Sequence, residues 1–128
     1  MTIAYWCVLG MIIFPYIFAF LTKTGPNYNN NDPRAYLEKL SGWRRRAYNI
    51  ELNSFEITPA FGLAVIIAHL AHAPQLTLDK LAIAFVITRI IYALCYIFDK
   101  ASLRTLFWTL GIGCIIGLFY ISAAVTQA

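Results

Sequence analysis

Four long apolar runs alternate with polar connections along the 128-residue chain. The predicted membrane spans cover residues 3–21, 54–73, 80–98 and 105–125. A helix needs about 20 apolar residues to cross the ~30 Å hydrocarbon core of a bilayer, and each run meets that need. The pattern therefore predicts an all-α integral membrane protein whose single domain, residues 1–128, is a bundle of four transmembrane helices.

The second long helix is predicted to start before its apolar run, near Trp43, and to end near His72. At ~1.5 Å per residue it is about 45 Å long, so its first three turns extend beyond the hydrocarbon core. A short helix is predicted just before it, in the segment DPRAYLEKLSG. Asp32 would be its N-cap, Pro33 its first residue and Gly42 its stop signal.

Composition supports the membrane class, since 60% of the residues are hydrophobic and only 12% are charged. A formal charge of +4 could indicate nucleic acid in a soluble protein, but here the basic residues lie between apolar runs and no nucleic-acid partner is expected. The three cysteines lie in separate apolar runs and form neither a disulfide framework nor a zinc pattern. They are Cys7, Cys95 and Cys114.

Basic residues are distributed unevenly among the connections. Eight fall in the first and third connections, and only Lys80 falls in the second. The positive-inside rule then places both termini outside. The first apolar run has no preceding Lys or Arg and no following cleavage site, so we interpret it as an uncleaved helix. The eight residues are Lys23, Arg34, Lys39, Arg44, Arg45, Arg46, Lys100 and Arg104.

A polar stripe marks the start of the second long helix. Asn49, Asn53 and Glu56 share a helical face because they are spaced by four and three residues, and Arg46 leads into it. Glu51 points elsewhere and is predicted to be solvated. An unpaired carboxylate inside a span, such as Glu56, is costly and usually marks function. The structural alternative to a functional site is that these polar side chains cap the helix end and form hydrogen bonds to neighbouring helices.

A second stripe lies on the third long helix, where Arg89, Tyr92 and Tyr96 are spaced by three and four residues. Arg89 is mid-span, where an arginine costs ~2.5–3.5 kcal/mol, so it is expected to face the bundle interior. An ion pair with Glu56 is one explanation, and such a pair can serve assembly alone. Arg104, at the start of the fourth span, is by itself only a topology marker.

Two further patterns favour structural interpretations. His69 and His72 have metal-like spacing but no apparent third ligand, so no metal site is predicted. Gly113 and Gly117 form a GxxxG motif, which predicts close helix packing.

Taken together, the segments NSFEITP, RIIYALCY and SLR resemble, in this order, the MAPEG family of membrane-associated proteins in eicosanoid and glutathione metabolism. The resemblance covers nearly the whole chain. The segment DPRAYLEKLSGWRRRAYN is similar to bacterial members, which implies the bacterial inner membrane. The family implies a homotrimer, with glutathione bound between protomers. Its cleft would be formed by the first two long helices of one protomer and the last two of its neighbour.

The resemblance also implies residue roles. Arg104 matches the arginine that faces the glutathione sulfur and would stabilise its thiolate. Arg89 would hold Glu56 or a glutathione carboxylate in place. Asn49 departs from the leukotriene-synthase pattern, which has an arginine at this position. The lack of that positive charge weakens the expected binding of the anionic groups of glutathione. The implied glutathione-binding residues are Arg46, Asn49, Asn53, Glu56, Arg89, Tyr92 and Tyr96.

The leading hypothesis is thus a glutathione-dependent membrane enzyme. It would conjugate lipophilic electrophiles, reduce lipid hydroperoxides, or do both, with the co-substrate arriving from the membrane lipids. A non-catalytic module that binds glutathione or lipid is the first alternative, favoured by Asn49. A small transporter component with Glu56 and Arg89 in its path is the second, against which the lack of inverted repeats argues.

Overall fold

The computed structural model describes residues 1–128 and consists entirely of helices and their connections. Four of the five helices are long and apolar enough to cross a membrane, which confirms the predicted four-helix membrane fold. The remaining helix is a short one in the first connection. In chain order the helices are α1 (Ile3–Thr22), α2 (Pro33–Glu38), α3 (Gly42–Leu70), α4 (Gln75–Ile97) and α5 (Ala101–Thr126).

The bundle core is built by one apolar face of each long helix. Met11 of α1, Phe61 of α3, Phe85 of α4 and Leu118 of α5 belong to its main cluster. The rings of Phe61 and Phe85 stack with centroids 4.1 Å apart. Many large apolar side chains, including Phe20, remain on the outside, as expected for helices that face lipid.

The first connection folds back against the bundle. The Asp32 carboxylate accepts the Ala35 backbone N–H at 3.2 Å, so the predicted N-cap of α2 is confirmed. The Tyr36 hydroxyl donates to the Thr22 carbonyl at 2.8 Å and ties α2 to the end of α1. The prediction that Gly42 stops this helix is wrong: Gly42, with φ +63°, opens α3, because only glycine enters this left-handed conformation without strain.

Two helices begin earlier than the predicted spans. α4 starts at Gln75 and α5 at Ala101, because polar end turns remain helical although they lack the apolar signal. α3 ends at Leu70, and His72 at φ +57° turns the chain towards α4. The early start of α5 places Arg104 within its first turn.

One end of the bundle, which we call the basic end, carries residues 23–46 and 98–104 and thus eight of the ten Lys and Arg residues. There the Arg46 Nε donates to the Ile97 carbonyl at 3.2 Å, so the start of α3 is bonded to the end of α4. At the opposite end, the Asp79 carboxylate accepts the Ala4 backbone N–H at 2.9 Å. This bond caps the start of α1 and joins it to α4.

The GxxxG prediction holds in part. A Cβ at Gly117 would lie 3.3 Å from the Leu81 side chain, so this glycine does permit close packing of α5 on α4. Gly113 faces open space, whereas a Cβ at Gly111 would lie 3.3 Å from the Thr88 hydroxyl. The close contacts within the chain are therefore made by Gly111 and Gly117, which are six residues apart.

Candidate functional site

Three helices form an open cleft of about 270 Å³ near the basic end. Asn53 of α3, Tyr92 and Tyr96 of α4, and Arg104 of α5 line it together. These residues come from one chain. Residues of the second and of the last two long helices therefore meet within one chain, because α3 packs against α4 beside the cleft, and the cleft between protomers stays a prediction.

Arg104 enters the cleft without a carboxylate partner. Its guanidinium carbon lies 4.5 Å from the centroid of the Tyr96 ring, a favourable cation–π contact. The Tyr96 ring meets the Tyr92 ring edge-on, with centroids 5.7 Å apart. The aromatic contacts orient Arg104 and leave its charge available to a ligand.

The position of Arg104 on α5 also favours an anion. It lies in the first turn, where no side chain caps the helix and the unpaired N–H groups carry a partial positive charge. A cation gains nothing from this helix end, whereas an anion is stabilised both by it and by the guanidinium. The arrangement is therefore suited to holding a negative group beside Arg104.

Arg89 lies behind the cleft and is 0% exposed, which confirms that it faces the bundle interior. Its Nη2 donates to the Asn53 side-chain oxygen at 2.8 Å and, more weakly, to the Ser54 hydroxyl at 3.4 Å. The guanidinium also lies 4.1 Å from the centroid of the Tyr92 ring. The ion pair with Glu56 is therefore wrong, because Asn53 and Ser54 take that place.

The Arg89 contact determines how Asn53 presents its amide. Arginine can only donate hydrogen bonds, so Asn53 must turn its oxygen towards Arg89, which leaves its NH₂ group as a donor. Arg89 Nε and Nη1 are buried without any partner. Such unsatisfied donors are costly, so this arginine is a poor choice for stability alone.

Residues 2–124 match the family model described as the MAPEG family. The chain belongs to the MAPEG family. A search of curated proteins and a search of solved structures each returned no match. Membership, with four candidate spans, identifies an integral, multi-pass membrane protein with a glutathione-related function in the general sense.

Besides Arg89, which lies behind the cleft, three more of the residues predicted for the site of this MAPEG protein do not line it. Arg46 is bonded to Ile97, Asn49 is partly buried on α3, and Glu56 is exposed on the surface of α3. Glu51, predicted to be solvated, is instead half-buried, and its Oε2 is buried without a hydrogen-bond partner. Spacing along the helix predicted the relative directions of these side chains but not what covers each one.

Thr105, Trp108 and Ser54 are the contributors that sequence reasoning missed. Thr105 and Trp108 complete the cleft wall, and Trp108, 41% exposed, supplies an apolar surface beside Arg104. The spacing of Arg104 and Trp108 by four residues was the available signal, since it places them on one face. No cluster of three His, Cys, Asp or Glu side chains in the structure is arranged to hold a metal ion.

Proposed function

We propose that this MAPEG protein is a glutathione-dependent membrane enzyme, a transferase, a peroxidase or both, that acts on lipophilic electrophiles or lipid hydroperoxides. The observation that carries the proposal is the meeting of Asn53, Tyr92, Tyr96 and Arg104 in one cleft at the start of α5. An unpaired cation beside hydrogen-bond donors suits an anionic, peptide-like ligand. The family's general association with glutathione supports the choice of that ligand.

In the proposed complex, the Asn53 NH₂ group donates to a carbonyl or carboxylate oxygen of glutathione. The hydroxyls of Tyr92 and Tyr96 donate along the same ligand. Arg89 acts through Asn53 and Tyr92, which it holds in place, so we revise its role from a direct ligand contact to a positioning residue.

A homotrimer would complete this site. The cleft volume of about 270 Å³ is just below the ~300–1,000 Å³ of typical small-molecule pockets, and one side is open. Asn49 and Glu56 flank Asn53 on α3, and a charged group exposed on a spanning helix needs a polar partner. A neighbouring protomer that covers this part of α3 would close the cleft, with Glu56 available to the glutathione ammonium group.

Arg104 is proposed to stabilise the glutathione thiolate. The thiolate is the nucleophile, and a free thiol with a pKa of about 8.5 is mostly protonated at neutral pH. Lowering that pKa by ~2 units requires ~2.7 kcal/mol of preferential thiolate stabilisation. A unit charge ~4 Å away at an effective dielectric constant of ~20 contributes ~4 kcal/mol, so one arginine is sufficient. Because arginine side chains carry a permanent positive charge, Arg104 acts as a fixed charge and not as a general base.

The thiolate can then follow either of two routes. With an electrophile, the sulfur forms a C–S bond and the displaced group leaves with its electron pair. With a hydroperoxide, the sulfur attacks the terminal oxygen, the O–O bond breaks, and the alkoxide takes a proton to leave as the alcohol. The resulting sulfenic acid is reduced by a second glutathione, which yields the disulfide and water.

Steady-state kinetics with a generic aromatic electrophile across pH will test this function. For Arg104→Ala we expect turnover to fall ~10–1,000-fold, equivalent to ~1.4–4 kcal/mol of barrier, with little change in glutathione affinity. Higher pH should partly restore turnover, because bulk deprotonation replaces the lost stabilisation. Asn53→Ala, the matched control in the same cleft, should mainly raise the KM for glutathione.

Two results would redirect the proposal. Unchanged turnover in Arg104→Ala, or turnover lost only through weaker glutathione binding, would remove Arg104 from the mechanism. Saturable glutathione binding by the wild-type protein, with no turnover of any electrophile or hydroperoxide, would instead assign the non-catalytic binding module.

A further inference from the structure

A second and larger cavity, about 540 Å³, lies at the basic end between the loop after α1, the helix α2 and the start of α3. It shares no residue with the Arg104 cleft. Only three of its 11 lining residues are hydrophobic, whereas typical ligand pockets are mostly apolar. The cavity is therefore suited to a strongly polar ligand. Its polar lining includes Asn27, Tyr36, Lys39, Ser41 and Arg44.

The charge of this cavity is positive. Lys39 and Arg44 line it together with a single carboxylate, Asp32, which already accepts a hydrogen bond as the cap of α2. The Arg44 guanidinium lies 4.6 Å from the Trp43 ring centroid, and its Nε is buried without an acceptor. The first turn of α3 lacks a side-chain cap, so its backbone N–H groups add a partial positive charge.

Contacts behind the cavity hold its wall in place. The Tyr36 hydroxyl is bonded to the Thr22 carbonyl at 2.8 Å, and the Tyr28 ring meets the Tyr36 ring edge-on at 5.2 Å. A Cβ at Gly25 would collide with the Tyr36 hydroxyl and would lie 3.0 Å from Arg44 Nε. The absence of a side chain at Gly25 thus allows Tyr36 and Arg44 to share this wall.

We infer that this cavity binds a phosphate-bearing polyol group of about the size of glycerol phosphate. Arginine and lysine are the side chains that most often bind phosphate, and Arg44 offers free N–H groups for it. The volume exceeds what a phosphate alone would fill, and the amide and hydroxyl groups of Asn27 and Ser41 suit the hydroxyls of a polyol. Trp43, 40% exposed beside the cavity, is a residue type enriched at membrane interfaces.

The same chemistry has two sources, the headgroup of an anionic phospholipid and a soluble phosphate ester. Native mass spectrometry of the detergent-purified protein can separate them by titration with phosphatidylglycerol, phosphatidylcholine and, in its own series, glycerol 3-phosphate. The cavity pair is Lys39→Gln with Arg44→Gln. The matched control pair is Lys23→Gln with Arg34→Gln, which removes the same charge from the same connection without touching the cavity lining.

The cavity pair is expected to weaken phosphatidylglycerol binding about tenfold, a change of ~1.4 kcal/mol, and the control pair less than about twofold. Gly25→Ala should weaken it as well, although it changes no charge, because it displaces Tyr36 or Arg44. Phosphatidylcholine should show no saturable binding. Saturable binding of phosphatidylglycerol identifies a lipid headgroup site, and saturable binding of glycerol 3-phosphate alone identifies a soluble phosphate ester. Either result supports the site if binding of that ligand is weaker in the cavity pair than in the control pair.

If the cavity pair and the control pair lose the same amount of phosphatidylglycerol affinity, the inference is overturned, because the lipid would then bind only to a diffuse positive surface. The absence of saturable binding of both phosphate ligands to the wild-type protein would also overturn it. An unchanged thermal unfolding temperature in detergent will serve as the test of folding. If the cavity pair does not fold, the single exposed substitution Lys39→Gln provides the same comparison against Lys23→Gln.

Discussion

Arg46, Arg89 and Arg104 each meet a different kind of partner. Arg46 donates to a carbonyl at the C-terminal end of α4, where a cation is favoured by the helix dipole, so its role is structural. Arg89 is enclosed by an amide, a hydroxyl and an aromatic ring. Arg104 contacts the face of the Tyr96 ring and has no side-chain hydrogen-bond partner. Of the three arginines, only Arg104 lines the open cleft. The chemistry we propose therefore rests on Arg104, with Arg89 in support.

At the residue scale, Arg89→Met should separate stability from binding. Replacing a buried ion by an apolar side chain of similar length is often neutral or stabilising, and here it also removes two unsatisfied donors. We expect the thermal unfolding temperature to stay the same or rise. The glutathione Kd should nevertheless increase ~3–10-fold, or ~0.7–1.4 kcal/mol, because Asn53 and Tyr92 lose their orientation.

A double-mutant cycle provides the control for this prediction. If Arg89 acts through Asn53, adding Arg89→Met to Asn53→Ala should change the glutathione Kd by less than about twofold. Additive losses in the double variant would mean that Arg89 contacts the ligand directly. A large fall in unfolding temperature for Arg89→Met alone would show that Arg89 mainly supports the bundle.

At the scale of the elements, the identity of the long helices was predictable because each carries a sustained apolar run. The partner of Arg89 was not, because it depends on how α3 is rotated about its axis. Ile50, Ile57, Phe61, Ala64 and Ala68 form the buried face of α3. Ser54 lies on this face and Asn53 beside it, whereas Glu56 points outwards. The spacing within a stripe predicted neighbours along the helix, but the whole apolar surface determined which residues meet α4.

Packing of α5 on α4 gives a prediction with a matched control on the same helix. Gly111→Leu should destabilise the protein by ~1–3 kcal/mol, because its added atoms meet the Thr88 hydroxyl, which is itself bonded to the Phe85 carbonyl at 2.6 Å. Gly113→Leu faces open space within the protomer and should cost much less. Thermal unfolding in detergent will compare the two. A larger loss for Gly113→Leu would mean that this face of α5 packs against another protomer.

At the scale of the whole molecule, the two ends of the bundle differ in charge, and both cavities lie at the basic end. From eight basic residues against one, we predict that this end faces the inside and both termini the outside. Single cysteines at Asn29, Lys100 and Thr126 can be labelled with a membrane-impermeant maleimide in a background without native cysteines. Only the Thr126 position should react in intact cells. Labelling of the Asn29 position from the outer face alone would reverse the topology.

The ultraviolet difference absorbance of glutathione thiolate, titrated with pH on the wild-type protein and on Arg104→Ala, tests the central claim most directly. We predict that wild-type protein binds glutathione as the thiolate at neutral pH, with an apparent thiol pKa ~2 units below the free value of about 8.5. Arg104→Ala should bind glutathione with similar affinity, but its thiolate signal should appear only at higher pH. An Arg104→Ala titration that overlays the wild-type curve would contradict the account.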